Sequence, residues 1–112
     1  MIHATIRIVT SPENHDEAFA ILYSMAQHIR VESGCIACRV YQNAQEDRAL
    51  LFEEIWKSED DLNRHIRSEE YRKVLLVVEM AVEKPEIRFE TVSHVTGMET
   101  IEKVRTGSII NT

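Results

Sequence analysis

Residues 50–65 read LLFEEIWKSEDDLNRH: an apolar strand, a stop at Ser58, and the opening turns of an acidic helix. Successive strand residues point to opposite faces, so Phe52, Glu54 and Trp56 share one face while Ala49, Leu51, Glu53 and Ile55 share the other. Both faces are partly apolar, and neither is built for bulk water. Ser58 is a good N-cap, and Asp61 at the third helical position reaches back in a capping-box arrangement. His65 follows Leu62 by three residues, so the two lie on one helix face. A helix folded back over the strand would gather Phe52, Glu54, Trp56, Leu62 and His65 around one pocket.

Upstream, residues 2–9 alternate Ile2, Ala4, Ile6 and Ile8 against His3, Thr5, Arg7 and Val9, the mark of a first strand. Ser11-Pro12 opens a helix, with Ser11 as N-cap and Pro12 at the first helical position. Its apolar stripe, Ala18, Leu22, Met25 and Ile29, runs to about Arg30, and Ser33-Gly34 ends the connection. Residues 35–42 read as a second strand, 43–47 as a polar turn, and 48–57 as the third strand. After the short helix from Glu59 to Arg67, Ser68 caps another built on Tyr71, Val74, Leu75, Val78 and Val82, which Pro85 stops. A fourth strand spans 86–95, and a short helix through Met98, Ile101 and Arg105 follows Gly97.

This βαββαβ order predicts an α+β, ferredoxin-like antiparallel sheet with helices on one face. Apolar residues on both faces of the strands predict that the open face packs against a second copy, making a homodimer. Residues 1–96 form the domain. The tail, 97–112, is too apolar at Met98, Ile101, Val104, Ile109 and Ile110 to stay free, and is expected on the partner subunit or over its sheet edge.

At 112 residues the chain makes one domain with a real core. A net charge of −6 argues against nucleic acid, whose phosphates need a basic face. No run approaches the roughly 20 apolar residues of a membrane span, and MIHATIRIVT lacks signal-peptide character, so a cytoplasmic location is expected. Cys35 and Cys38 form a C-x-x-C, but the residues after them read as a strand rather than a helix. Three apart in a strand, they should point to opposite faces, which suits neither a disulfide nor chelation; a structural role is expected. His3 and His94 fall near each other if the first and last strands pair. Without convergence of a third ligand such as Glu90 they are no metal site, and no metal is expected.

Glu32-Ser33-Gly34-Cys35, then Glu54-Ile55-Trp56, then Leu62 and His65, resemble the antibiotic biosynthesis monooxygenase domain family, which includes quinol monooxygenase-like and haem-degrading relatives. The resemblance covers residues 2–96 and implies a dimeric α+β barrel with a ligand cavity between sheet and helices in each subunit. Two departures stand out. A second His often follows the first in a Ser-Pro-His-Phe-like stretch, where this chain has Ser68-Glu69-Glu70-Tyr71. The haem-degrading branch places an Asn on its first strand, a Trp where His65 stands, and a His where this chain has Leu75 or an apolar neighbour. Haem degradation by that triad is therefore not expected, and haem binding or degradation ranks as the third reading, behind oxygenation and ligand binding without reaction.

The resemblance implies cofactor-independent monooxygenation of a small aromatic or quinol-like compound, with no cofactor. His65, near neutral in pKa, would take a proton from a phenol or hydroquinone, leaving an electron-rich anion that reacts with dioxygen. Glu54 would orient His65 or act as base itself if buried. Trp56, Phe52 and Leu62 would hold the substrate, Trp56 by stacking. Tyr23, Tyr41 or Tyr71 could bond a substrate oxygen, and spacing selects none of them. The competing reading makes His65 a solvated surface histidine, Glu54 an ion-pair partner and Trp56 simply core, in a dimer that binds a small ligand without transforming it.

Overall fold

The structure, a computed structural model, describes residues 1–107. Its elements are β1 (Ile2–Val9), α1 (His15–Ile29), β2 (Cys35–Gln42), β3 (Ala49–Trp56), α2 (Glu59–Arg67), α3 (Tyr71–Glu79), β4 (Glu86–Thr91) and α4 (Met98–Arg105). The four strands form one antiparallel sheet in the order β2-β3-β1-β4, the ferredoxin-like arrangement. Period-two alternation sets the two faces as the sequence indicates. Ile2, Ala4, Ile6 and Ile8 of β1, with Leu50, Phe52, Glu54 and Trp56 of β3, turn towards the helices and are buried. Ala18, Leu22, Met25, Ala26 and Ile29 of α1 meet them, joined by Tyr71, Val74 and Val77 of α3. Full burial of each large aliphatic side chain is worth roughly 1.5–3 kcal/mol, so this layer dominates the stability of the domain.

The open face is more polar than its strand pattern suggests. Glu53 accepts hydrogen bonds there from Arg39 (3.2 Å) and Tyr41 (3.2 Å) and pairs with His3 (3.1 Å), while Leu51 and Ile55 are half-buried beside it. Burial pushes the Glu53 carboxyl up, but His3, Arg39 and Tyr41 together hold it below its ordinary value.

Several boundaries differ from the sequence expectation, one through a local turn and the others through bonds to distant residues. The first helix begins at His15 rather than at Pro12, because Ser11 instead closes a turn, its carbonyl accepting from the Asn14 N–H at 3.2 Å. The helix starting at Tyr71 ends at Glu79 rather than at Pro85. Ala81 bridges Thr10 and the Val82 N–H donates to Val9 O at 2.8 Å, pulling the chain out of the helix to pair with the end of β1. Its buried stripe is Tyr71, Val74 and Val77, leaving Leu75 and Val82 exposed. The fourth strand stops at Thr91 rather than Val95 because β1, its one neighbour among the described residues, begins at Ile2; the Val92 N–H donates to the Met1 carbonyl at the end of that pairing.

A β-bulge between Cys35 and Ala37 overturns the expected placement of the cysteines. The extra residue, Ile36, resets the alternation, so Cys35 and Cys38 stand opposite Trp56 and Glu54 and share their face. Both are free thiols. Burial, then Glu54 and Glu32, push Cys35 up to about 11, and burial moves Cys38 further in the same direction. Ile109 and Ile110 lie outside the described residues. Among the described residues, no helix is long and apolar enough to cross a membrane.

Candidate functional site

Three local devices bring a charged cluster into the core. Ser58 starts α2 as expected, its Oγ accepting from the Asp61 N–H (3.2 Å) and donating to the Asp61 carboxylate (2.9 Å). Ser68 ends α2 and donates to the His65 carbonyl at 2.7 Å, fixing His65 in the last turn with its ring over the end of β3. The third device is the turn before β2. Gly34 has φ +85°, in the left-handed region, and its carbonyl accepts from the Lys57 N–H at 2.9 Å. A Cβ on Gly34 would overlap the Asp61 side chain, so this turn docks directly on the start of α2. Arg64 Nη2 donates to the Ser33 carbonyl at 2.9 Å and completes the dock.

That dock delivers Glu32 to His65. The imidazole lies between two carboxylates: Nδ1 is 3.0 Å from Glu32 Oε1, and Nε2 is 3.0 Å from Glu54 Oε2. Trp56 Nε1–H donates to the other oxygen of Glu54 at 3.0 Å. The His65 ring stacks on Trp56 with centroids 4.7 Å apart, and Tyr71 meets it edge-on at 5.1 Å. Burial, the largest single influence, pulls the His65 pKa down. The hydrogen bond and charge of Glu54, with those of Glu32, more than offset it and leave the pKa raised. With a carboxyl group facing each nitrogen, the surroundings favour the imidazolium form, as does the indole face beneath it. Burial and the Glu54 charge push Tyr71 up to about 12, so it stays a neutral phenol.

The five residues singled out by sequence fall into two groups. Glu54, Trp56 and His65 come together as one hydrogen-bonded unit, but they are sealed: His65 is 1% exposed and Trp56 0%. Phe52 lies on the same sheet face, equally buried in the core. Only Leu62 borders open space. It lines a cleft of about 270 Å³ between α2, β1 and β4, with Ile2, Ile66 and Phe89 as apolar walls and Glu59, Asn63 and Thr91 as polar ones. Ile2 pairs with Trp56 in the sheet and Leu62 precedes His65 by one turn, so two walls of the cleft are neighbours of residues in the charged cluster.

Sequence reasoning missed Glu32 and Phe89 as site residues, and did not choose Tyr71 over Tyr23 and Tyr41. The signals for Glu32 were its place in the Glu32-Ser33-Gly34-Cys35 stretch that carries the family resemblance and its position before a turn able to carry it across to α2. Tyr41 instead bonds Glu53 on the open face, and Tyr23 sits exposed on α1 beside Phe19. A second cleft of about 320 Å³, lined by Arg7, Tyr41 and Leu51 among others, lies at one end of the open face. His3 is taken up by Glu53, and among the described residues no three His, Cys, Asp or Glu side chains converge as a metal site.

The match to a family model decides the affiliation: residues 1–75 fit that of the antibiotic biosynthesis monooxygenases. The chain belongs to this family. Solved structures agree on the fold. A candidate antibiotic biosynthesis monooxygenase from Deinococcus radiodurans superposes with TM-score 0.78 at 17% identity, covering 87% of this chain and 97% of the other. A Mycobacterium tuberculosis protein gives TM-score 0.76 at 21% identity, covering 86% and 98%. A conserved protein of Methanosarcina mazei gives 0.73 at 29% identity, covering 80% and 89%. An uncharacterised protein of Synechocystis sp. is 30% identical over 61 residues, 54% of this chain and 42% of that protein, so the match spans less than half of the relative's length. For a monooxygenase-family domain, the sealed cluster and the adjoining apolar cleft are the features from which a small-molecule site can be built.

Proposed function

We propose that this protein is a cytoplasmic homodimer that binds a small aromatic, quinol-like compound in the α2–β4 cleft and oxygenates it without a cofactor. One observation carries the reading: a cleft sized for a small ring system is walled by Ile2 and Leu62, neighbours in register and helix turn of a buried Trp56–Glu54–His65–Glu32 cluster. Cofactor-free oxygenation needs the substrate to lose its hydroxyl proton, because the resulting anion supplies the electrons. A hydroquinone and dioxygen then give a hydroxyquinone and water: one oxygen atom enters the ring and the other leaves as water.

In this reading Glu54 and His65 are the catalytic pair. Two carboxyl groups flank one imidazole, a chain of hydrogen-bonding groups along which a proton can pass. Glu32, whose side chain is 32% exposed, is its outlet to water. Leu62 must swing aside for the substrate hydroxyl to reach Glu54. Trp56 and Phe52 then form the floor that this movement uncovers. Dimerisation through the open sheet face is supported by the half-buried Leu51 and Ile55 on that face.

A second reading, binding without reaction, is favoured by the clamped state of His65. As an imidazolium with both nitrogens engaged it has no lone pair to act as a base. Dioxygen uptake with a panel of hydroquinones and naphthols, using ¹⁸O₂ and mass spectrometry of the product, decides between them. Uptake proportional to protein, with one ¹⁸O in each product molecule, supports oxygenation. Uptake no faster than autoxidation in buffer, alongside measurable ligand binding, leaves the binding reading.

A further inference from the structure

We infer that helix α4 of one chain closes the α2–β4 cleft of a second copy, so that each ligand site is built from two chains. The inference rests on the homodimer and the cleft proposed above, and adds the segment that completes the site.

Among the described residues, α4 buries none of its own side chains. Met98, Ile101 and Val104 recur every three residues along α4 and form one apolar stripe, yet each is more than half exposed. The radius of gyration is 17.0 Å and the long axis 55 Å, against about 13 Å for the radius of a compact chain of this length. Surface area agrees. The chain exposes 7642 Å², where a folded monomer of its mass exposes about 6,300 Å². The excess is larger than the roughly 800 Å² that each partner contributes to a standard interface.

The cleft has the complementary defect. Register with Ala4 and Ile6 puts Phe89 and Ile87 on the helix-covered side of the sheet, but among the described residues no helix buries them, and they are 52% and 46% exposed. Leu62 and Ile66 continue the apolar surface onto α2. Charges match as well: the first turn of α2 is acidic at Glu59, Asp60 and Asp61, and the last turn of α4 is basic at Lys103 and Arg105. The open face of the sheet is a poorer bed for the stripe, because His3, Arg7, Arg39 and Glu53 occupy it in ion pairs. A second copy is thus the occupant that removes both exposed apolar surfaces at once. It also makes α4 a wall of the ligand site.

The test is photocrosslinking in the full-length protein with Ile101→p-benzoylphenylalanine, an exposed position at which substitution leaves the domain core untouched. Isotopically heavy and light chains are mixed, allowed to exchange subunits, irradiated and digested; a reference crosslink at the open sheet face establishes that exchange is complete. Heavy–light crosslinks from α4 to peptides holding Leu62, Ile66 or Phe89 are the expected result. Crosslinks to those peptides within heavy or light chains only would mean that α4 folds back on its own cleft, overturning the inference. Crosslinks to Leu51 or Tyr41 would overturn it too, by putting the arm on the open face. Light scattering on the same sample separates the two levels of the argument. A dimer lacking any α4–cleft crosslink refutes the arm while leaving the sheet-face dimer standing, and a monomer refutes both.

Discussion

His65 Nε2 lies 3.0 Å from Glu54 Oε2, and neither side chain reaches bulk water. Since Glu32 faces the other ring nitrogen, the histidine is charged in the folded state beyond the pH at which an ordinary one would lose its proton. In the unfolded chain its pKa is about 6.5. The raised folded value means that this contribution to stability is present in full below that pH and lost as pH rises through the folded pKa. Melting temperature should therefore fall from neutral into mildly alkaline pH, and His65→Gln should flatten that slope. Ring ¹⁵N shifts should report both nitrogens protonated at pH 7. A neutral tautomer at that pH would be incompatible with the clamp.

The turn at Gly34 gives a separate handle on the same cluster. Gly34→Ala puts a Cβ on a residue with φ +85° and drives it into the Asp61 side chain. Strain of this kind costs about 1–3 kcal/mol. Urea denaturation should show a loss of that size, with the His65 ring shifts moving as Glu32 is displaced. Unchanged stability would mean that the turn is not docked on α2.

Leu62 is a buried wall of the cleft one helical turn before His65, and in the proposed reading it is the barrier to the buried pair. Trp56 is the only tryptophan and is fully buried, so acrylamide should barely quench its emission. Leu62→Ala opens the partition, and quenching should rise severalfold. The same change should destabilise the fold by about 2–5 kcal/mol, so the measurement belongs well below the melting temperature. If quenching stays at the wild-type level, Leu62 is not the barrier.

Much of this arrangement is legible in the residues themselves. Period-two alternation at Phe52, Glu54 and Trp56, the cap at Ser58, and the spacing from Leu62 to His65 are local signals, and each survives folding because the tertiary contacts reinforce it. What escapes is set by partners distant in the chain. Glu32 meets His65 only through the Gly34 turn. α3 ends early because Val82 bonds Val9, and the Ile36 bulge moves Cys35 to the Trp56 side. Burial of His65 was equally hidden. A short helix with Arg64 and Arg67 beside the histidine reads as a solvated surface, and only the carboxylates waiting below it make burial of the ring tolerable.

Amide mapping of a bound ligand tests the placement of the site most directly. Two-dimensional ¹H–¹⁵N spectra should be recorded while 1,4-dihydroxynaphthalene is titrated in without oxygen. Saturable shifts should centre on Leu62, Asn63, Ile66, Phe89 and Thr91, the walls of the α2–β4 cleft. The Trp56 indole N–H should respond at the same ligand concentrations, because its cross-strand partner Ile2 is a wall of the cleft. Shifts confined to Tyr41, Leu51 and their neighbours on the open face, or no saturable shifts at all, would contradict a ligand site between α2 and β4.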